Sequence, residues 1–90
     1  MKLQFTESAK RDLERLKAFL EDKNKAAAKR FNEQLKRQIV GLKDHPKLGR
    51  PLEDLPQVRE LVARDYVVRY LAGEEALVIL RVWHTRELRQ

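Results

Sequence analysis

The 90-residue sequence contains no cysteine and only two histidines. Without cysteine it has no disulfide scaffold, thiolate metal site or cysteine nucleophile, and two histidines alone cannot form a four-ligand zinc site. The sequence has no apolar run near the ~18 residues of a membrane span, and its N-terminus lacks the apolar region of a signal peptide. We therefore expect a cytoplasmic protein with one domain, residues 1–90, that uses no metal or cofactor and no membrane.

Residues that build catalytic loops are also scarce. The three glycines are isolated, so the sequence has no glycine-rich loop to cradle a phosphate. Ser8 is the only serine and lies in the first turn of a predicted helix, which excludes a Ser-His-Asp arrangement.

The positive charge is divided unevenly along the chain. Residues 1–50 contain fourteen Lys and Arg against seven Asp and Glu, whereas residues 51–90 contain six against seven. All nine lysines lie at or before Lys47, and every later cation is an arginine. Lysine is a strongly hydrated point charge, while the planar guanidinium fits phosphate, carboxylate and aromatic faces. Either the arginines pair with carboxylates in a sheet, or the arginine-only half carries a recognition surface.

Two amphipathic helices are predicted in the first half. Thr6 is a suitable N-cap, and apolar residues recur at steps of three and four from there to about Asp22. Asn24 breaks the pattern, and a second helix follows from about Lys25 to Asp44. With so short a connection, the helices should form an antiparallel hairpin. The apolar positions are Ala9, Leu13, Leu16 and Leu20, flanked by Phe19, and then Ala28, Phe31, Leu35, Ile39 and Leu42.

Strand-like sequence lies on both sides of the helices. Lys2–Phe5 alternates polar and apolar residues, and a loop with two prolines at 45–51 precedes three β-like runs. The runs are Val58–Ala63, Tyr66–Leu71 and Ala76–His84. The order β-α-α-β-β-β predicts an α+β domain, in which an N-terminal helical hairpin packs on a small antiparallel sheet.

Alternation along the last two strands predicts two unlike sheet faces. In the register that buries no guanidinium beneath the helices, the core side carries Tyr66, Val68, Tyr70, Val78, Leu80 and Val82. The other side then carries Val67, Arg69, Leu71, Leu77, Ile79, Arg81 and Trp83. An exposed apolar face with arginines and an indole has the composition of an interface hot spot, so we expect a partner to cover it.

One histidine is a candidate for chemistry. His84 ends the last strand close to Arg81 and Arg86 in sequence, and a histidine with arginines is the minimum set for cleaving RNA through its 2′-hydroxyl. The alternative is a hydrogen-bonded structural histidine, since no carboxylate lies at a fixed spacing from it. Non-specific nucleic-acid binding by the lysine-rich helices is another alternative, but a solvated helix surface is the simpler interpretation.

Six segments of the sequence are typical of a known family when taken in order. They are Phe5–Ala9 followed by Asp12 and Leu13, Ala27–Phe31, His45–Pro51, Val58–Val62, Tyr66–Tyr70 and Ile79–His84. With these segments the whole chain resembles the RelE/ParE toxin superfamily of bacterial type II toxin–antitoxin modules. The resemblance implies the same β-α-α-β-β-β topology that periodicity predicts.

The superfamily has two activities, and the resemblance implies either. Its RelE-like branch cleaves mRNA on the ribosome, whereas its ParE-like branch poisons DNA gyrase without being a nuclease. The ribonuclease branch typically has a basic residue where this chain has Val67, and a tyrosine near the C-terminus, but no tyrosine follows Tyr70 here. The resemblance therefore favours a ParE-like gyrase inhibitor. The alternatives are a metal-independent, ribosome-dependent endoribonuclease and a non-toxic antitoxin-binding module.

The resemblance also implies partners and sites. A cognate antitoxin, a DNA-binding dimer with an acidic C-terminal segment, would form a hetero-oligomer with the chain, and the target would be gyrase or else the ribosome with mRNA. We expect a helix of the antitoxin to lie along the helical hairpin near Leu16, Phe19 and Leu20, with an extended part that reaches the sheet. The expected target-binding residues are Arg69, Arg81, Trp83, His84, Arg86 and Arg89. In a ribonuclease the catalytic candidates would be His84, Arg81, Arg86 and Arg69.

Overall fold

The first half of the chain folds into the predicted helical hairpin. The computed structural model describes residues 2–63 and 65–87. Helix α1 spans Glu7–Lys23 and helix α2 spans Lys25–Asp44. No helix in the described part of the chain is long and apolar enough to cross a membrane.

Asn24 alone separates the two helices. Its amide donates to the Leu20 carbonyl at the end of α1, at 2.7 Å. Its side-chain oxygen accepts from the amides of Ala26 at 2.8 Å and Ala27 at 3.4 Å at the start of α2. Asn24 therefore supplies hydrogen-bond partners to peptide groups at the end of α1 and at the start of α2. These bonds define the turn between the two helices.

Within residues 2–63 and 65–87, five strands form one sheet in the order β1-β5-β4-β3-β2. The strands are β1 (Lys2–Phe5), β2 (Arg50–Pro51), β3 (Val58–Ala63), β4 (Tyr66–Ala72) and β5 (Ala76–His84). The α+β class is confirmed, but the prediction of an antiparallel sheet is wrong for one pair, because β1 runs parallel to β5. The alternation within a strand specifies its faces and not the direction of a distant partner. Strand β2 is too short to produce a periodic pattern.

The hydrophobic core lies between the helices and one face of the sheet. It includes nearly all the apolar helix positions predicted from spacing, while Leu13 and Phe19 are partly buried at its margin. The Phe31 and Tyr66 rings join α2 to β4, with centroids 4.7 Å apart. The buried members are Ala9, Leu16, Leu20, Ala28, Phe31, Leu35, Ile39, Leu42, Tyr66, Val68, Tyr70, Leu77, Ile79 and Val82.

A β-bulge at Leu80 changes which side chains of β5 face the helices. Tyr70 pairs with Ile79 while Arg69 pairs with Arg81, so Leu80 is an inserted residue. The predicted register is therefore wrong for the first half of β5: Leu77 and Ile79 are in the core, and Val78 and Leu80 are not. After the bulge the prediction holds, with Val82 in the core and Arg81 and Trp83 on the outer face.

Candidate functional site

The sheet face opposite the helices carries two rows of side chains that cross three strands. One row is charged, because Glu60, Arg69 and Arg81 are neighbours on β3, β4 and β5. The adjacent row is apolar and consists of Val62, Val67 and Trp83. These six residues are called the outer face below. Val62 is 65% exposed, so part of the apolar row is open to a partner.

Arg69 is held in place from two sides. Its guanidinium carbon lies 5.2 Å from the centre of the Trp83 ring, within cation–π distance. Its Nε donates to Glu60 Oε2 at 2.8 Å, and its Nη2 donates to the same oxygen. An arginine fixed in this way presents its remaining donors in a defined direction and loses little side-chain entropy when a partner binds.

Asp12 of α1 joins the helices to β5 at the edge where β1 has ended. Strand β1 pairs with β5 only as far as Ile79. Beyond that point Asp12 Oδ2 accepts from the Val82 amide at 2.9 Å and from Arg81 Nε at 2.7 Å. The Asp12 side chain therefore replaces a strand neighbour for β5 and fixes Arg81 at the border of the outer face.

Arg15 extends this cluster to the C-terminal segment. It donates to Asp12 Oδ1 and to Glu87 Oε2, the latter at 2.7 Å. Glu87 Oε1 in turn accepts from the His84 amide at 2.9 Å. Asp12, Arg15, Arg81 and Glu87 form a continuous ion-pair network, which we call the edge network.

The edge network shifts the pKa values of its four residues. Burial alone would raise the pKa of the Asp12 carboxyl, but hydrogen bonds from Arg81, Arg15 and the Val82 amide outweigh burial and lower it. The pKa of the Glu87 carboxyl is likewise lowered, because hydrogen bonds from Arg15 and the His84 amide outweigh its burial. The hydrogen bond to Glu87 raises the pKa of Arg15, and the hydrogen bond to Asp12 raises that of Arg81. Both carboxyls therefore stay charged near neutral pH.

His84 lies inside the fold. It is 7% exposed, and its ring stands edge-on to Tyr66, with centroids 5.1 Å apart, and 6.2 Å from Phe19. Its Nδ1 accepts from the Arg86 amide at 3.0 Å. A neutral imidazole has one acceptor nitrogen, and that nitrogen is used here within the chain.

The structure brings some predicted site residues together and separates others. Arg69, Arg81 and Trp83 share the outer face, whereas His84 points to the helix side. The Arg86 side chain is exposed, and Arg89 lies outside the described residues. Of the predicted antitoxin contacts, Leu16 and Leu20 are buried in the core, and only Phe19 keeps exposed surface.

Four residues of these clusters were missed by the sequence analysis. Glu60, Arg15 and Glu87 occupy positions that are polar in any solvated segment, so nothing distinguishes them in sequence. Asp12 does carry a signal, because it lies three residues after Ala9 and four before Leu16 on the buried stripe of α1. An acid at such a position requires partners. Within residues 2–63 and 65–87, no group of three or more His, Asp or Glu side chains could hold a metal ion.

The fold, two helices on a five-stranded mixed sheet, is shared with known toxins. A chain of the chromosomal ParDE TA system from P. aeruginosa superposes with a TM-score of 0.79 at 22% identity, covering 96% of this chain and 97% of that one. The isolated E. coli RelE toxin superposes with a TM-score of 0.69 at 19% identity, covering 98% and 87%. The conserved hypothetical protein HP0894 from Helicobacter pylori gives 0.60 at 22% identity, covering 99% of each chain. These likenesses show the fold.

The family is shown by sequence. The model of the ParE toxin family of the type II toxin–antitoxin system parDE matches residues 3–89. A search of curated protein sequences gives no significant match. The chain belongs to the ParE toxin family, and membership implies a cognate antitoxin as partner.

Proposed function

We propose that this chain is a type II toxin that inhibits DNA gyrase by binding it, without catalysing a reaction of its own. The proposal rests on the burial and the hydrogen bonding of His84. A general base for RNA cleavage needs a free acceptor nitrogen within reach of a 2′-hydroxyl. The acceptor nitrogen of His84 is bonded to the Arg86 amide in a nearly closed pocket between Tyr66 and Phe19.

Arg69 and Arg81 are also held by contacts within the chain. Arg81 is bound to Asp12, and Arg69 is bound to Glu60 and stacked on Trp83. Groups held in this way are suited to recognising a protein surface, where preorganised arginines and an indole supply most of the binding energy. The outer face is the surface that we propose for the target, together with the exposed Arg86, which follows the end of β5 by two residues. The proposed occupant is gyrase, which the ParE-like resemblance implies.

Two assays run side by side test the proposed target. The purified chain is added to gyrase during DNA supercoiling, with cleaved DNA as a second readout, and to translating ribosomes with mRNA cleavage as the readout. We expect inhibition of supercoiling and intact mRNA. Ribosome-dependent mRNA cleavage without gyrase inhibition would contradict the proposal.

Two variants connect the assays to the residues. Arg69→Lys keeps the charge but loses the fork that binds Glu60 and stacks on Trp83, so we expect gyrase inhibition to weaken by about tenfold. His84→Asn places an amide oxygen near the Nδ1 position and removes the titratable base, so inhibition should persist. The thermal unfolding midpoint of each variant serves as the control for folding. Gyrase inhibition that is lost in a fully folded His84→Asn chain would show that the imidazole takes part.

A further inference from the structure

A polar pocket lies where the first turns of α1 meet the edge of β5. Strand β1 pairs with β5 only as far as Ile79, and beyond that point α1 borders β5 instead. The residues that α1 contributes recur at positions i, i+3, i+4 and i+7, which places them on one face of the helix. The pocket has a volume of about 470 Å³ and is called the arginine pocket below. It is lined by Ser8, Arg11, Asp12, Arg15 and Arg81.

The lining of the arginine pocket has an excess of positive charge, because three guanidinium groups and one carboxylate surround it. The carboxylate belongs to Asp12, which is 2% exposed, whereas the Arg15 and Arg81 side chains keep exposed surface. Both oxygens of Asp12 accept hydrogen bonds from these arginines, and Oδ2 also accepts from the Val82 amide. Asp12 therefore orients the arginines from the buried side, and the pocket presents donors to solvent.

Two arginines of the pocket have donors that the fold does not use. Arg81 donates to Asp12 through Nε at 2.7 Å and Nη2 at 3.1 Å, and its Nη1 makes no hydrogen bond to residues 2–63 or 65–87. Arg11 is exposed, and the one hydrogen bond that it makes to the same residues is long, from Nη2 to Ser8 Oγ at 3.5 Å. Because a guanidinium has five N–H donors and no acceptor, both arginines can bind an anion in the pocket.

The set of donors fits a phosphate group better than a carboxylate. A carboxylate has two oxygens in one plane and is satisfied by one guanidinium, as the Asp12 carboxylate is by Arg81. In the arginine pocket, three guanidinium groups and a serine hydroxyl from two elements of the fold surround one space. Arginine and serine side chains are common donors to the oxygens of nucleic-acid phosphates.

The pocket adjoins the surface proposed for the target. Arg81 belongs both to the pocket and to the outer face, where Arg69 is its neighbour on β4. Arg11 and Arg15 continue this series of arginines around the edge of the sheet to α1. A ligand of the pocket therefore lies beside whatever the outer face binds. The proposed target, gyrase, acts on DNA, so backbone phosphates are present in the same complex.

We propose that the arginine pocket binds a backbone phosphate of the DNA that gyrase holds. The source of the phosphate rests on the proposed function, whereas the phosphate chemistry rests on the pocket alone. The chain then contacts both components of the gyrase–DNA complex, the enzyme through the outer face and the DNA through Arg11, Arg15 and Arg81. The two contacts are coupled, so the chain binds the gyrase–DNA complex more tightly than gyrase alone.

The first test titrates the whole chain into a labelled single-stranded octathymidylate and follows fluorescence anisotropy. Arg11→Gln removes a guanidinium that holds no carboxylate, and Arg37→Gln is the matched control at an exposed position of α2. We expect the Kd to rise about tenfold for Arg11→Gln and to stay within about twofold for Arg37→Gln. The slope of log K against log salt should fall by about 0.7 for Arg11→Gln, the value for one phosphate contact on a single strand.

Nuclear magnetic resonance locates the phosphate on the chain. The Nε–Hε signals of Arg11, Arg15 and Arg81 should shift when the octathymidylate is added, and they should shift less with acetate at the same ionic strength. Equal losses of affinity in Arg11→Gln and Arg37→Gln would overturn the pocket and indicate diffuse binding to surface cations. Larger shifts with acetate would overturn phosphate as the ligand and indicate an acidic side chain of a protein. The thermal unfolding midpoints of both variants show that they fold.

A titration of gyrase with and without a bound DNA duplex identifies the source of the phosphate. The wild-type chain should bind the gyrase–DNA complex about tenfold more tightly than gyrase alone. Arg11→Gln should lose this difference and Arg37→Gln should keep it. A difference that survives Arg11→Gln would overturn DNA as the source. Tighter binding to ribosomes when they hold mRNA, lost in Arg11→Gln, would likewise overturn DNA and assign the phosphate to mRNA.

Failure of this proposal is distinguishable from failure of the proposed function. The octathymidylate titration contains no gyrase, so it measures the pocket whatever the target is. A chain that binds the oligonucleotide through Arg11 but leaves gyrase active would refute the proposed target and keep the pocket. A gyrase inhibitor whose affinity for the oligonucleotide is the same in Arg11→Gln would refute the pocket and keep the target.

Discussion

The carboxylate of Asp12 accepts a hydrogen bond from the backbone amide of Val82 at 2.9 Å, across 70 residues of sequence. A side chain from the first helix thus completes the edge of the last strand. The same carboxylate also accepts from Arg81. The position of the Arg81 side chain on the outer face therefore depends on how α1 packs against the sheet. Asp12 therefore links the first helix to the proposed target surface.

Asp12→Ala should destabilise the fold strongly. The substitution removes the acceptor of the Val82 amide and of the Arg81 guanidinium, and one of the acceptors of Arg15. We expect the free energy of unfolding to fall by about 2–4 kcal/mol. Urea denaturation measures the change. Glu7→Ala removes an exposed partner of Lys10 on the same helix, and should cost less than about 0.5 kcal/mol. Equal effects of the two substitutions would contradict a structural role for Asp12.

The edge network should make stability depend on acid pH. The pKa values of the Asp12 and Glu87 carboxyls lie below their ordinary values, because hydrogen bonds from arginines and amides outweigh their burial. A carboxyl with a lower pKa in the folded chain stabilises the fold above its unfolded-state pKa, and this stabilisation is lost as the pH falls through the folded-state pKa. The free energy of unfolding should therefore decline below about pH 5.

Asp12→Asn gives the control for this pH dependence. The variant is less stable at neutral pH but lacks one of the two titrating groups, so its stability should fall less steeply on acidification. Urea denaturation at several pH values between about 7 and about 3 compares the two chains. If the free energy of unfolding falls equally steeply with decreasing pH in both chains, other carboxyls cause the acid sensitivity.

Two glycines should respond oppositely to alanine. A Cβ at Gly49 would lie 2.7 Å from the Tyr70 hydroxyl oxygen and 2.9 Å from the Glu60 carbonyl oxygen, whereas a Cβ at Gly41 meets nothing within 4 Å. The Gly49 amide also donates to the Tyr70 hydroxyl at 2.8 Å. Gly49→Ala should therefore lower the free energy of unfolding by about 1–3 kcal/mol. Gly41→Ala, inside α2, should raise it by about 0.5–1 kcal/mol. Thermal unfolding of both variants decides the prediction.

The exposed lysines of α2 should make antitoxin binding sensitive to salt. Surface charges act over about a Debye length, which shortens from about 10 Å at 0.1 M salt to about 3 Å at 1 M. We expect faster association at low salt, and Lys29→Gln and Lys36→Gln, made singly, should each reduce the association rate and its salt dependence. Lys47→Gln, in the loop after α2, removes the same charge and is the control. Association rates that do not change with salt would argue against an electrostatic role for these lysines.

Local chemistry in the sequence predicted much of the fold. Thr6 and Asn24 cap helices by side-chain hydrogen bonds to neighbouring amides, so their roles follow from residue type and position. The three last strands follow from runs of β-branched and aromatic residues. The parallel pairing of β1 with β5 could not be predicted from the sequence, because it joins residues more than 70 positions apart and is decided by packing.

The candidate site was less predictable than the fold. Arg69, Arg81 and Trp83 share a face as alternation indicates, and the same alternation turns His84 inward, but the bulge at Leu80 results from tertiary contacts. His84 continues the alternation of Val82, so that its side chain meets Tyr66 and Phe19. Asp12 could have been singled out as an acid on a buried stripe, whereas its partner Val82 contributes only a backbone amide, which no sequence pattern marks.

The inserted residue at Leu80 makes the effect of a deletion in β5 depend on where it falls. Removing Leu80 itself would place Ile79 and Arg81 next to each other opposite Tyr70 and Arg69, so the strand would alternate regularly and its two faces would not change. Removing Val82 would instead reverse the faces of the residues that follow, and Trp83 would turn towards the core. Related toxins should accordingly tolerate the loss of the inserted residue better than a single-residue deletion elsewhere in this strand.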